Sequence, residues 1–259
     1  MKDEYLKIKE QKQLAPNIFQ VKLQGKSIRE MTAPGQFVHV KIQPGIDPSL
    51  RRPLSIADVE AEKEELTLIY RTEGRGTKLL AGKVPGEEIK VFGPLGKGFP
   101  TDAVKSGDTC LLVGGGVGIP PLYYLGRQLA EKGAEIITIL GFRKAEDIFL
   151  EEEFQQLGKV IITTEDGSKG VKGYVTDAIN QLASSYDSYY TCGPNPMLRA
   201  VEETAKGPGF VSMEERMGCG IGACLACVCQ LKDPGSTSGR KYRKICSDGP
   251  VFPAGEVLI

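Results

Sequence analysis

Residues 109–133 read TCLLVGGGVGIPPLYYLGRQLAEKG and combine three local signals in one stretch. The apolar run CLLV predicts a buried strand, and the glycines that follow it predict a tight turn. Two prolines then open a helix in which Leu122, Leu125 and Leu129 recur at helical spacing until Gly133 ends it. A strand that turns through glycines into a helix is the repeating unit of a parallel α/β sheet, so this stretch predicts such a domain.

Strands and helices continue to alternate downstream of this stretch. Strands are predicted in EIITILGF, KVIITT and DSYYTCG, and helices in AEDIFLEEEFQQLG, GYVTDAINQLASS and PNPMLRAVEETAKG. The alternation predicts an α/β domain over residues 102–210, with a parallel sheet covered by helices on both faces.

The first hundred residues have an all-β pattern instead. Short runs rich in β-branched and aromatic residues (NIFQVKL, GQFVHVKI, ELTLIYR and EEIKVFG) alternate with turns rich in Gly, Pro and Asp, and RRPLS begins a further strand. We therefore expect an antiparallel β-barrel or sandwich over residues 1–101. His39, the single histidine of the chain, lies in one of these strands and is interpreted as structural, which leaves no histidine for a metal site or a catalytic triad.

Composition narrows the functional classes. The chain has 259 residues, 41% of them hydrophobic, and 33 basic residues balance 33 acidic ones. This balance disfavours nucleic-acid binding through bulk charge. Neither a signal peptide nor an apolar run long enough to span a membrane is recognisable, so a cytoplasmic location is expected. Clustered cysteines in a reducing compartment indicate metal binding before disulfides.

Residues 211–259 form a small cysteine-rich module that contains the stretch GCGIGACLACVC. A C-x4-C-x2-C spacing followed by one distant cysteine is typical of plant-type [2Fe–2S] sites, and the four predicted ligands are Cys219, Cys224, Cys227 and Cys246. Gly220 and Gly222 can adopt positive φ, which lets the loop wrap a cluster. A zinc site, which more often has two C-x2-C pairs, and disulfides are the weaker alternatives. Cys229 is interpreted as a packed thiol.

The glycine turn in the α/β domain has the context of a phosphate-binding site. Gly116-x-Gly118-x-x-Pro121 follows a strand and opens a helix, whose N-terminus offers free N–H groups. A tight turn without a ligand is the alternative. Cys192 ends the last predicted strand, at the sheet edge where ligands bind. It is either an inert buried thiol or a neighbour of a nicotinamide ring.

Two motifs in the all-β region also suggest phosphate binding. The guanidinium of Arg52 supplies a forked donor, and the Ser55 hydroxyl can bond a ring atom. Thr77 is expected to cap a short helix in EGRGTKLL, leaving its N–H groups for a pyrophosphate. The alternatives are an exposed basic pair and a simple capped turn.

These motifs in this order resemble the ferredoxin–NADP reductase superfamily. The motifs are PGQF (34–37), RPLS (52–55), GRGT (74–77), GPLGKGF (93–99), GGGVGIPP (114–121) and CGPNPM (192–197). The tail SMEERMGCGIGACLACVC closely resembles the electron-transfer subunits of the NAD-dependent, B-type dihydroorotate dehydrogenases. With the tail, the resemblance covers essentially the whole chain.

The resemblance implies three cofactor sites and no catalytic side chain. It implies FAD in the barrel, NAD at the α/β domain and a [2Fe–2S] cluster in the tail. For FAD it implies Arg52 at the phosphates, Ser55 near the isoalloxazine with Pro53 and Leu54, a wall of Ile69, Tyr70 and Arg71, and Gly76 and Thr77 at the pyrophosphate. Leu54 stands where many members of the superfamily have tyrosine. For NAD it implies Gly115, Gly116, Gly118, Ile119, Pro120, Cys192, Gly193, Pro194 and Met197.

The implied function is electron transfer in pyrimidine biosynthesis. Electrons from dihydroorotate would come from the FMN of a separate catalytic subunit and pass through the cluster and FAD to NAD⁺, in a complex with two of each chain. The partner is expected to dock near the cluster, with candidate residues Met217, Ile221, Leu225 and Val228. Packing within the tail is the alternative role of these four side chains.

Three other functions stay open. They are a related subunit of a transhydrogenase or sulfide dehydrogenase, a reductase for a ferredoxin or oxygenase, and a redox-sensing regulatory protein. The choice between NAD and NADP is also open: Arg143 and Lys144 suit a 2′-phosphate, whereas Glu146 and Asp147 suit a ribose hydroxyl. The family resemblance favours NAD.

Overall fold

The structure is a computed structural model that describes residues 1–43, 45, 49–233 and 241–259. The loop before Cys246, for which a different shape from plant ferredoxins is expected, lies largely outside the described residues.

Six antiparallel strands close into a barrel in the N-terminal part. They are β1 Lys2–Ala15, β2 Ile18–Gln24, β3 Phe37–Lys41, β4 Arg52–Glu60, β5 Glu65–Arg71 and β6 Glu88–Leu95. Their order around the barrel is β1-β2-β5-β4-β3-β6. A short 3₁₀ helix, Lys26–Glu30, follows β2, and α1, Arg75–Ala81, follows β5. Alternate side chains such as Leu6, Ile8, Val38 and Val40 fill the interior. The predicted barrel is confirmed, but β1 was not foreseen as a strand.

A seven-stranded sheet forms the second part. Its chain order is β7 Thr109–Gly115, α2 Ile119–Glu131, β8 Glu135–Phe142, α3 Glu151–Gln155, β9 Gly158–Thr164, β10 Val171–Lys172, α4 Val175–Asn180, β11 Ser188–Cys192, α5 Asn195–Thr204 and β12 Gly209–Ser212. These strands pair in parallel in the order β10-β9-β8-β7-β11-β12, which confirms the predicted sheet. Leu122, Leu125 and Leu129 are fully buried, as their spacing predicts.

Two predicted helices are shorter than expected. In the stretch from residue 145 to 158, a 3₁₀ turn, Ala145–Asp147, and α3 are separated by Leu150, whose φ of 61° is left-handed. Positive φ is incompatible with a continuous right-handed helix, so the continuous helix predicted there was wrong. In the stretch from residue 173 to 185, α4 covers six residues only.

The tail is built onto both other parts. Its strands β13 Val228–Gln230 and β14 Tyr242–Lys244 form an antiparallel pair, and β15 Val251–Pro253 joins the large sheet antiparallel to β12. One apolar core unites barrel, α/β and tail residues: Phe37, Leu95, Leu198, Val211, Met213, Met217, Cys227, Cys229, Leu231, Ile245, Cys246, Phe252 and Val257. The domain division at 101 and 210 stays a prediction, and β12 crosses the second of these boundaries.

Helix α2 connects the glycine turn to the barrel. The Arg127 guanidinium donates to both carboxylate oxygens of Asp58 in β4, at 2.6 and 2.7 Å. The Tyr124 hydroxyl donates to the carbonyl of Met31 at 3.2 Å. These contacts fix the turn at the start of α2 relative to the barrel. Among the described residues, no helix combines the length and apolar character needed to cross a bilayer.

Candidate functional site: three adjoining cofactor positions

The glycine turn and the CGPNPM segment touch at the carboxyl ends of β7 and β11. A β-carbon at Gly118 would lie 2.4 Å from the carbonyl carbon and oxygen of Cys192, and one at Gly115 would lie 2.5 Å from Met197 Sδ. The contact with the Cys192 backbone excludes a side chain at Gly118, whereas a side chain at Gly115 would displace the flexible Met197 side chain. Gly116 has a φ of 55°. The structure therefore brings the two halves of the predicted NAD site together at the sheet edge where ligands bind.

The two predicted FAD motifs are also in contact. A β-carbon at Gly76 would lie 2.6 Å from Arg52 Nε, so the guanidinium covers the start of α1. The Arg71 side chain reaches the glycine turn, where a β-carbon at Gly116 would lie 3.0 Å from Arg71 Nη2. Arg71 thus joins the predicted FAD wall to the predicted NAD site.

Two of the candidate FAD side chains point into the barrel core. Tyr70 is buried in the barrel core, where its hydroxyl accepts a hydrogen bond from Gln11 Nε2 at 3.1 Å and burial raises its pKa. Leu54 also belongs to this core. Because side chains alternate along a strand, Pro53 and Ser55 face outward while Leu54 faces inward. Only the backbones of Leu54 and Tyr70 can face a flavin.

Thr77 does not cap α1, which corrects the expectation from the sequence. The N-cap is Gly74, in extended conformation. Thr77 lies in the first turn, where its hydroxyl accepts from the Glu73 N–H and donates to the Gly74 carbonyl, each at 3.1 Å. The hydroxyl closes the turn that precedes the helix.

The four predicted ligand thiols gather in two pairs. Cys219 and Cys224 interact through their side chains, and so do Cys227 and Cys246. A [2Fe–2S] cluster needs four cysteine sulfurs shared by two irons, and two pairs suit this arrangement.

Backbone N–H groups point at these sulfurs. Cys219 Sγ accepts from Ala223 at 3.3 Å and Cys224 at 3.4 Å, and Cys246 Sγ accepts from Gly222 at 3.1 Å. Burial raises the pKa of the Cys219 thiol, but hydrogen bonds from the N–H groups of Ile221, Cys224 and Ala223 and from the Cys224 side chain outweigh it and lower the pKa to about 6. Burial raises the pKa of Cys246 to about 12, and the neighbouring Cys227 adds to the shift. N–H donors that favour thiolates fit an iron–sulfur cluster.

The loop backbone has the predicted conformation. Gly220 and Gly222 have φ values of 74° and 80°. Cys229 has a hydrogen-bond partner outside the four thiols: its Sγ donates to the Arg243 carbonyl at 3.7 Å. Burial raises the pKa of Cys229 to about 11, as it raises that of Cys246, so the pKa does not distinguish the two thiols. Cys192 is fully buried, and burial raises its pKa as well.

Comparison with known proteins identifies the family. Residues 112–203 match the oxidoreductase NAD-binding domain, and residues 214–258 match the iron–sulfur cluster binding domain of dihydroorotate dehydrogenase B. The dihydroorotate dehydrogenase B (NAD(+)) electron transfer subunit of Bacillus cereus (strain G9842) is 52% identical over 250 residues, which cover 96% of both chains. The subunit from Bacillus anthracis (strain CDC 684 / NRRL 3495) matches to the same extent. The chain belongs to the family of dihydroorotate dehydrogenase B electron transfer subunits.

Solved structures share the fold of this chain. An NADH-dependent reduced ferredoxin-NADP oxidoreductase, studied for flavin-based electron bifurcation, is 32% identical with a TM-score of 0.86, covering 98% of this chain and 89% of that one. A ferredoxin NADP⁺ reductase from Neisseria gonorrhoeae, with bound FAD and NADP, has a TM-score of 0.66 at 15% identity, covering 79% and 90%. This second likeness shows the fold alone.

Membership in the electron transfer subunits of dihydroorotate dehydrogenase B confirms several predictions. The chain is an NAD-linked oxidoreductase subunit that transfers electrons in pyrimidine biosynthesis, and it works with a catalytic partner subunit. The family models confirm that the chain contains an iron–sulfur cluster binding region and an NAD-binding region. The individual ligand and cofactor residues stay predictions.

An exposed apolar rim lies on the cysteine loop and on the adjoining strands β13 and β14. We define this apolar rim as Ile221, Leu225, Val228 and Tyr242, each 43–50% exposed. Cys224 is exposed beside it. Three of the four side chains predicted to meet the partner belong to this rim. Met217 does not, because it is buried in the shared core, so its role is packing.

Sequence reasoning assigned no role to Glu214, which follows β12. Its carboxyl influences the pKa of Cys192, and Arg71 and Glu73 influence its own. Glu214 is exposed, yet the atoms around its carboxyl desolvate it and raise its pKa, although Arg71 opposes the shift. The acidic pair in the tail motif SMEERMG was the available signal, but its position beside Arg71 depends on the tertiary fold.

The charges of residues 143–147, which follow β8, partly neutralise one another. Lys144 forms an ion pair with Glu146, and the Ala145 N–H donates to Ser168 Oγ at 2.8 Å. Arg143 and Lys144 are both exposed. A paired Lys144 is a weaker partner for a 2′-phosphate than a free one.

Proposed function

We propose that this chain carries electrons between NAD(H) and the FMN of a dihydroorotate dehydrogenase catalytic subunit, using FAD and a [2Fe–2S] cluster held by Cys219, Cys224, Cys227 and Cys246. The observation that carries the proposal is the contiguity of three candidate sites. Arg71 links the flavin wall to the glycine turn at Gly116, and the cysteine loop packs on the outer face of the same barrel.

The roles of the barrel residues follow from their orientation. Arg52 and the N-terminal turn of α1 at Gly76 and Thr77 bind the FAD pyrophosphate through guanidinium and backbone N–H donors. Pro53 and Ser55, which face outward, lie against the ring system. When bound, a flavin exchanges hydride with nicotinamide and single electrons with an iron–sulfur cluster.

The α/β residues position the nicotinamide nucleotide. The bare backbone at Gly115, Gly116 and Gly118 lets a pyrophosphate approach the N-terminus of α2, where Ile119 and Pro120 begin the helix. Cys192, Gly193, Pro194 and Met197 form the facing wall. We infer a preference for NAD, because Lys144 is paired with Glu146.

We further propose that the apolar rim docks on the catalytic subunit, in an assembly with two copies of each chain. The four rim side chains would leave water on association, and they lie next to the exposed Cys224. Electron transfer needs short distances, so the docking face must lie near the cluster. We also propose a reducing, cytoplasmic location, because clustered cysteines that hold a metal site are typical of such a compartment.

Co-expression with an FMN-containing catalytic subunit tests this function. The complex, purified without oxygen, should show flavin absorption, a reduced [2Fe–2S] EPR signal and dihydroorotate-dependent reduction of NAD⁺, with slower reduction of NADP⁺. A complex that contains all cofactors but shows no such reduction would contradict the proposal.

A second candidate is a subunit of a transhydrogenase. The observation behind it is the 0.86 TM-score to the NADH-dependent reduced ferredoxin-NADP oxidoreductase. Sequence identity is lower for that protein than for the dihydroorotate dehydrogenase subunits, 32% against 52%. NADH-dependent electron exchange with NADP⁺ and ferredoxin, together with inactivity towards dihydroorotate, would select this alternative.

A further inference from the structure

The outward face of β3 carries a histidine beside the proposed flavin strand. Val38 faces the barrel core, whereas Phe37 packs in the core shared with the tail. His39 lies on the outward side with Phe37, and their ring centroids are 5.7 Å apart. The register with β4 places Pro53 opposite His39 and Ser55 opposite Phe37. His39 therefore shares a face with two proposed flavin residues.

The same imidazole lies directly against the cysteine loop. A β-carbon at Gly220 would lie 2.8 Å from His39 Cε1, 3.0 Å from Nδ1 and 3.1 Å from Nε2. Gly220 follows the predicted ligand Cys219 and has a φ of 74°. The ring thus occupies the space that any other residue at 220 would fill, between the barrel and the first part of the loop.

The imidazole has an unused hydrogen-bonding atom at this junction. His39 is 1% exposed, and within the described part of the chain its Nε2 has no hydrogen-bond partner. Burial, with a smaller effect of Arg51, lowers its pKa to about 4, so the ring is neutral at physiological pH. Buried polar atoms nearly always have a partner, so an unpartnered Nε2 beside the cysteine loop is available to a group bound by that loop.

We propose that His39 donates a hydrogen bond from Nε2–H to a sulfur of the iron–sulfur site and thereby raises the reduction potential of the cluster. The inference rests on the cluster proposed above. A donor aimed at cluster sulfur stabilises the additional negative charge of the reduced state, and hydrogen bonds to the sulfurs are among the factors that set the potential. His39 acts as a positioning and tuning residue, because it does not ligate iron.

Redox titration of the holoprotein, with flavin followed by absorbance and the cluster by EPR, tests the proposal. His39→Phe keeps a ring but removes the N–H, and should lower the midpoint potential of the cluster. A tenfold loss of reduced-state stabilisation corresponds to about 59 mV for a one-electron couple. His39→Gln, which retains an N–H donor, should restore part of the shift. The flavin potential should stay unchanged in both variants.

Thr138→Val is the matched control, because Thr138 Oγ1 is also buried without a partner but lies in β8, remote from the loop. It should not alter the cluster potential. If His39→Phe does not fold, His39→Met removes the N–H with a flexible apolar side chain.

The possible outcomes separate this inference from the proposed function. A shift of the flavin potential without one of the cluster would overturn it, and so would unchanged potentials, which would leave His39 with a packing role only. Iron and sulfide analysis of the unmodified protein is independent of His39. If that protein holds no cluster, the proposed function itself fails.

Discussion

Leu225 holds a backbone conformation that glycine would adopt at lower cost. Its φ is 57°, and its side chain is 50% exposed within the apolar rim. Left-handed φ costs a residue with a β-carbon about 1–2 kcal/mol, so retention of leucine indicates a use for the side chain. Leu225→Gly should raise the free energy of unfolding of the uncomplexed protein by up to about 1 kcal/mol and weaken binding to the catalytic subunit.

Leu225→Ala is the control for this prediction, because it removes most of the side chain but keeps the strained backbone. It should weaken binding without the gain in stability. Denaturant titration and affinity measurement give the two quantities. Unchanged affinity of both variants would remove Leu225 from the interface.

Cys229 and Cys246 differ in their surroundings, and the two should respond differently to substitution. Cys246 Sγ accepts the Gly222 N–H and lies beside Cys227, whereas Cys229 Sγ donates to a carbonyl on the neighbouring strand. Cys246→Ser should lose or alter the reduced [2Fe–2S] EPR signal, and Cys229→Ser should retain it with full iron content. The reverse pattern would refute the ligand assignment.

His39 should make the folded chain less stable at acidic pH, and this effect can be measured separately because the chain has no other histidine. The pKa of His39 is about 4 in the folded chain and near the ordinary value of 6.5 in the unfolded chain. Between these values the unfolded chain binds the proton and the folded chain does not, so stability falls as pH falls from 6.5 to about 4.

When the pH falls from about 7.5 to about 5, the unfolding free energy of the unmodified protein should therefore fall by about 2 kcal/mol more than that of the His39→Gln variant. Urea denaturation at both pH values measures the difference. Parallel losses in the two proteins would show that the imidazole is solvated in the folded state.

At the scale of elements, helices and strands with strong periodicity were predictable and those with competing signals were not. Helix α2 follows from its prolines, its leucines and Gly133. Strand β1 was missed because Lys and Glu alternate with only a few apolar residues, Leu6 and Ile8 among them, and its partners β2 and β6 supply the context. The helix predicted around α3 failed because Leu150 takes a positive φ, which no local pattern indicates.

Some residues of the candidate site could be predicted from the sequence and others could not. Cysteine spacing and the glycine turn are local patterns, so their residues could be named in advance. The contacts of Arg71 with the glycine turn and of His39 with Gly220 join segments distant in sequence. They depend on how the barrel, sheet and tail pack together, and no local pattern in the sequence indicates that packing.

Helix α2 and strand β4 are joined by a half-buried ion pair whose loss should be measurable. The Arg127 and Asp58 side chains are 30% and 14% exposed. Breaking the pair leaves one charge poorly solvated, so Arg127→Met should cost about 1–2 kcal/mol of unfolding free energy, less than for a fully buried pair.

The double variant Asp58→Asn with Arg127→Met should recover part of that loss, because neither charge remains. Glu131→Gln serves as the surface control: this carboxylate is 68% exposed and lies 3.7 Å from Arg127, so its loss should cost well under about 1 kcal/mol. If the effects of Asp58→Asn and Arg127→Met are additive in a double-mutant cycle, the pair does not couple α2 to β4.

At the scale of the whole molecule, the tail should not fold as an independent unit. Strand β15 covers the edge of the large sheet at β12, and the shared core combines tail residues with Phe37 and Leu95 from the barrel. A chain ending at residue 210 would expose this edge and core, and both favour aggregation. We expect the truncated chain to be mostly insoluble and a fragment of residues 211–259 to lack stable structure by circular dichroism, even with iron and sulfide supplied. The full chain should unfold in one cooperative transition, and a truncated chain that stays monomeric with an unchanged melting temperature would show that the tail is a separable domain.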